Sequence, residues 1–75
     1  MPTLQRFDHC RVLMYNDDHP PPHVHVKLRD GRDSTVDLDS LQINGRVAER
    51  EIREALAWIA SNRLLLLNEW RKHNL

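Results

Sequence analysis

The chain has 75 residues, with eleven lysines and arginines against eleven aspartates and glutamates, and a single cysteine. So short a chain buries only about 60 % of the surface its unfolded form exposes, which points to one domain over 1–75, marginal in stability and helped by an oligomer or a partner. The charge balance excludes binding to nucleic acid or an anionic membrane through bulk charge and leaves only a local basic stripe. Cys10 alone excludes an intrachain disulfide and a CxxC metal pair, and suggests a reducing compartment.

No stretch approaches the roughly 20 apolar residues that cross a bilayer, and no apolar run follows a basic one at the N-terminus, so a soluble, cytoplasmic protein without membrane contact is expected. The chain divides at Gly45 into a β-rich part, 1–45, and a helical part, 46–75. In the first part, residues 3–7 and 11–15 read as two short strands around Asp8, His9 and Cys10. "DDHPPPHVHVKL" follows at 17–28, with three consecutive prolines that fix φ, offer no N–H and hold His19 at the start of an extended segment as a rigid rod.

From 24 to 38 the stretch VHVKLRDGRDSTVDL reads as a hairpin around Asp30-Gly31. A two-residue loop would set His25 opposite Val36 and mix the two faces. A three-residue loop, Asp30-Gly31-Arg32, sets Val26 opposite Val36 and Val24 opposite Leu38. It also sets His25 opposite Asp37, His23 opposite Asp39 and Arg29 opposite Asp33, because residues directly across an antiparallel pair share a face. Val24 and Val26 then point to the core, and His23 and His25 stand together on the other face, each with an aspartate across from it.

Two imidazoles at i, i+2 can reach one divalent metal such as zinc, with His19, Asp37 or Asp39 as a third ligand or as an acceptor that orients a ring nitrogen. The same residues, His23, His25 and Asp37, can instead serve as acid–base catalysts, since a neighbouring carboxylate sets a histidine's tautomer. The plain alternative is a set of mutually satisfied His–Asp pairs on a solvated hairpin.

The second part reads as one long helix from 48 to 73, about 39 Å at the usual rise, longer than so small a sheet can cover. Ile52, Leu56, Ile59, Leu66 and Trp70 form its apolar stripe, widened by Ala55 and Leu67 and interrupted by Arg63. Four successive leucines, 64–67, turn through the whole circumference and cannot all face one sheet. Together with Trp58, one heptad before Leu65, Leu64, Leu65 and Leu67 suggest a surface for a second copy or for another protein. Arg46, Arg50 and Arg53, at i, i+4 and i+7, are a candidate phosphate-binding stripe, although i, i+4 acids beside them also fit a solvated, salt-bridged face. The fold expected is α+β: a small antiparallel sheet of three to four strands, including the 24–38 hairpin, packed against one long C-terminal helix.

The opening MP, the HPPPHVHV motif, the glycine of INGRV and the ending NRLLLLNEW after an earlier tryptophan resemble a small bacterial family known as a domain of unknown function, number four-one-six-zero of its series. The matching positions are Pro21, Pro22, His23, His25, Gly45, Trp58 and Trp70. The resemblance implies a short cytosolic protein, often encoded beside another small protein, an arrangement that has placed members among toxin–antitoxin components; it implies no reaction and no catalytic residue. Two functions from different classes follow. One is a component of a toxin–antitoxin-like pair acting through a protein partner and RNA. The other is a small metal-dependent or His–Asp hydrolase or nuclease on the histidine face.

Overall fold

A computed structural model describes residues 3–15 and 19–74; the MP opening, Asp17 and Asp18 ahead of His19, and Leu75, the last residue of the expected helical part, lie outside them. Five strands, β1 (Thr3–Arg6), β2 (Cys10–Leu13), β3 (His23–Leu28), β4 (Asp33–Asp37) and β5 (Ile43–Gly45), form an antiparallel meander in chain order. A 3₁₀ helix (Glu49–Ile52), α1 (Arg53–Ser61) and α2 (Arg63–His73) follow. Three to four strands and one long helix were expected; β5, too short to show alternation, is the added strand.

β3 alternates between buried and half-buried residues along its whole length, as an H-P pattern of period two demands. Its buried side, Val24, Val26 and Leu28, joins Val12 and Val36 and packs against Ile52, Ala55, Ile59, Leu66 and Trp70 of the helical part. The expected stripe therefore holds the core, with Leu56 and Leu67 only half-buried at its edges. Ser34, the polar residue on this side, is satisfied by donating to the Val26 carbonyl at 3.1 Å.

The hairpin loop has the expected three residues but begins one position earlier, as Arg29-Asp30-Gly31. Leu28 N–H donates to the Arg32 carbonyl at 2.8 Å, and Gly31 N–H to the Leu28 carbonyl at 3.0 Å. The reason is backbone sterics: the third residue of such a loop takes positive φ, and Gly31, at φ +99°, does so where Arg32 would be strained. The register consequently moves by two residues, which preserves the faces and changes the partners. Val24 lies opposite Val36, Val26 opposite Ser34, and Lys27 instead of Arg29 opposite Asp33. His23 lies opposite Asp37, not Asp39, and His25 opposite Thr35, not Asp37.

The proline run is not a straight rod. The chain bends at Pro20 and Pro21, the bond between them is cis, and the strand begins only at His23.

The long helix is broken at Asn62 (φ −113°, ψ 20°). The Asn62 amide Nδ2 donates to the Trp58 carbonyl at 2.8 Å, and its own carbonyl accepts from Leu66 N–H at 2.9 Å to start α2. Ser and Asn are weak helix formers because their side chains compete for backbone groups, so the break falls where propensity is lowest. It lets the 24 helical residues fold over a body only 31 Å in its longest dimension instead of overhanging it.

The break also explains the arginine in the apolar stripe. At the start of α2, Arg63 donates from Nε to the Leu38 carbonyl at 2.6 Å and from Nη2 to the Asp39 carbonyl at 2.8 Å. It thus clamps the β4–β5 turn to the helices. Arg32 makes the matching clamp at the other end, a bidentate pair with Glu51 at 2.8 and 3.1 Å. Glu51 also accepts from Ala48 N–H at 2.9 Å, which caps the 3₁₀ helix.

Candidate functional site

The histidine face is built from strand register. His23 and His25, two residues apart on β3, share the face that the valines leave, and Leu13 of β2 stands directly across from His25. Leu13 is fully buried there, so this side of the sheet is not wholly solvated.

Both imidazoles are half-buried and sit in a run of rings. Trp70 of α2 lies 5.0 Å from His23 between ring centroids, His23 lies 5.2 Å from His25, and His25 meets Tyr15 edge-on at 4.4 Å. Tilted and edge-on contacts of this kind are the favourable arrangement for rings that carry a quadrupole. The Nδ1–H of His23 donates to the Pro21 carbonyl at 2.8 Å, so the neutral ring carries its proton on Nδ1 and its acceptor lone pair on Nε2. The proline segment therefore serves the site by presenting a carbonyl that fixes this tautomer.

Of the aspartates named from the sequence, Asp37 stands across from His23. Its Oδ1 accepts from Asp39 N–H at 2.7 Å and Ser40 N–H at 3.1 Å, closing the turn before β5. These amides, Ser40 first, hold its carboxyl below the usual range, with the charge interaction with His23 a smaller cause. Asp39 is exposed in that turn, 3.6 Å from the Arg63 guanidinium. His19 is exposed on the other side of the proline bend. Of the three sequence candidates for a further ligand beside His23 and His25, the register brings only Asp37 alongside a histidine. Among the described residues no three His, Cys, Asp or Glu side chains are grouped so as to hold a metal ion.

Tyr15 and Trp70 were missed as companions of the histidines. Tyr15 was legible in part, since a strand through 11–15 puts it on the face of Arg11 and Leu13. That this face adjoins His25 required the β2–β3 pairing, and Trp70 required the turn of the helix at Asn62.

The remaining candidates scatter. Leu64 and Leu65 are 79 % and 56 % exposed, whereas Leu66 is buried and Leu67 and Trp58 are half-buried and packed against the core. The arginine stripe does not form: Arg46 lies in the bend before the 3₁₀ helix, Arg50 in that helix and Arg53 at the first position of α1. A stripe at i, i+4 and i+7 needs 3.6 residues per turn throughout, and this segment begins at three.

The family model described as Domain of unknown function (DUF4160) matches residues 10–71, and the chain belongs to that family. No curated protein and no solved structure matches the chain. Among the described residues no helix is long and apolar enough to cross a membrane.

Proposed function

We propose that this protein is a binding module, one component of a toxin–antitoxin-like pair, and that it meets a small cognate protein through the start of α2. One observation carries the reading: among the described residues Leu64 and Leu65 are the exposed large apolar side chains, and the others are buried or half-buried. Two adjacent exposed leucines, with half-buried Leu67 one turn along α2 from Leu64, make an apolar surface of the kind that contacts cover. The gene pairing that the resemblance implies favours a cognate small protein over a second copy of the chain. Cytoplasmic action belongs to the same reading.

The test is co-expression with the protein encoded beside it, followed by size-exclusion chromatography with light scattering. A complex formed by the wild type and lost in Leu64→Asp/Leu65→Asp, whose far-ultraviolet circular dichroism is unchanged, is the expected result. A wild type that stays monomeric and retains nothing of its neighbour overturns the reading.

The alternative, a metal-dependent or His–Asp hydrolase or nuclease at His23, His25 and Asp37, has narrower support. Its favourable feature is the fixed tautomer of His23. Against it, Asp37 already accepts two backbone N–H groups and His25 has Thr35 opposite. It requires that His25→Ala abolish an activity while the fold persists.

A further inference from the structure

On the histidine-bearing face, towards the other end of the strands, the register lines up cations on three neighbouring strands. Arg6 of β1 lies directly across from Arg11 of β2, and Arg11 directly across from Lys27 of β3. Arg29, in the loop after β3, stands at the same end, where its N–H donates to the His9 carbonyl at 2.8 Å and ties the two turns together. These four side chains line one open cleft of about 620 Å³, with Phe7 and Leu28 supplying apolar surface and exposed Asp8 a carboxylate.

Like charges directly across an antiparallel pair destabilise a sheet, and here two such contacts follow one another. A protein that only needed solubility would pair them with acids, as it does elsewhere: Arg32 has Glu51, Arg63 has Asp39 and Lys72 has Glu69. Among the described residues Arg6, Arg11, Lys27 and Arg29 have no ion pair and donate no side-chain hydrogen bond. Arg11 and Lys27 are half-buried, so part of each side chain lies along the sheet within the cleft. The row ends at Asp33, which lies across from Lys27 on β4 and limits the positive field to the β1–β3 side.

Neighbouring strands are about 4.8 Å apart, so the three-strand row spans about 10 Å. That is more than one phosphate group needs and suits a chain of them. Phe7, half-buried and packed against the core, also lines the cleft, so an aromatic side chain adjoins the cations, the combination that holds unpaired bases and their backbone. We propose that this cleft binds single-stranded nucleic acid, with Arg6, Arg11, Lys27 and Arg29 on successive phosphates. The site lies on a different surface from the leucines of α2, so it stands or falls separately from the partner reading. It also replaces the helical arginine stripe as the basic surface of a protein whose net charge is zero.

The experiment is fluorescence anisotropy of labelled 12-nucleotide oligouridylate and oligothymidylate with the isolated chain, across a salt series. Single strands lose affinity with a log–log slope of about −0.7 per phosphate neutralised, so three to four contacts give about −2 to −3. Arg11→Gln/Lys27→Gln is expected to flatten the slope by about 1.4 and to weaken binding at low salt by about tenfold or more. Arg53→Gln on α1 is expected to leave both unchanged. Because the double variant removes opposed like charges, its thermal midpoint without ligand should equal or exceed that of the wild type. Binding to neither oligonucleotide overturns the proposal, as does equal affinity for wild type and double variant or an equal loss in Arg53→Gln. Uridine monophosphate competing as well as the oligonucleotide, mole for mole, overturns the single strand as occupant.

Discussion

Two glycines with positive φ offer a direct test of how closely β5 is held to the sheet. At Gly31 (φ +99°) an added Cβ meets nothing within 4 Å, so Gly31→Ala costs only the backbone conformation. A non-glycine residue at positive φ loses about 1–2 kcal/mol, and alanine recovers about 0.4–1 kcal/mol by restricting the unfolded chain, so the net is about 1 kcal/mol. Gly45 (φ +133°) carries the same penalty and a collision besides: its Cβ would stand 2.9 Å from the Asp33 carbonyl oxygen and 3.0 Å from the Ser34 Cα. Both are backbone atoms of β4, with which Gly45 pairs, so relief requires β5 to move off the sheet. We expect Gly45→Ala to cost about 2–4 kcal/mol, a large share of the about 4–11 kcal/mol available to a chain of this length. In urea, with a slope near 1 kcal/mol/M, the unfolding midpoint should fall by about 1 M for Gly31→Ala and by about 2–4 M for Gly45→Ala. Equal midpoints for the two variants would refute the close approach of β5 and, with it, the argument that this strand needs glycine at its end.

The leucine run should divide by position: Leu66→Ala costs about 2–5 kcal/mol as a core truncation, whereas Leu64→Ala stays within about 0.5 kcal/mol, and similar losses in chemical denaturation would contradict the placement of α2. Arg63→Ala should cost about 1–2 kcal/mol through loss of its two carbonyl partners, discounted for partial exposure; Arg63→Lys should recover less than half, because an ammonium cannot reproduce the fork, and full recovery would show that charge alone matters. Asp37, Asp30 and Glu51 have lowered carboxyl pKa values, through Ser40 N–H, Arg32 N–H and the Arg32 guanidinium respectively. Lowered acids contribute stability that is complete above their ordinary values, near pH 4, and lost as pH falls through the folded ones. Thermal midpoints should therefore drop below about pH 4, less steeply in Asp37→Asn, and an undiminished acid slope in that variant would remove Asp37 from the account.

The periodicities were legible without coordinates. VHVKL can bury one side only as Val24, Val26 and Leu28, and the spacing of Ile52, Ile59, Leu66 and Trp70 can bury one side only of a helix; these are the residues that fill the core. The hairpin and the parity of its loop followed from the same reasoning, because matching like faces admits only odd loops. Its register did not. Pairing Val24 with Leu38 looked better by composition, but the positive φ at Gly31 outweighed side-chain matching and left one histidine opposite an aspartate instead of two.

Local sequence therefore determined which residues face inward, that two histidines share the opposite face, and that the last third is helical, since each depends on a period of 2 or 3.6 carried by neighbours in the chain. Tertiary structure alone decided what those histidines touch, because Trp70 reaches His23 only after the helix breaks at Asn62 and Tyr15 reaches His25 only through strand pairing. It likewise decided that Arg6, Arg11 and Lys27 form a row: Lys27 is distant in sequence from the two arginines, and only a register set by turn sterics and core packing brings the three like charges together against their own repulsion.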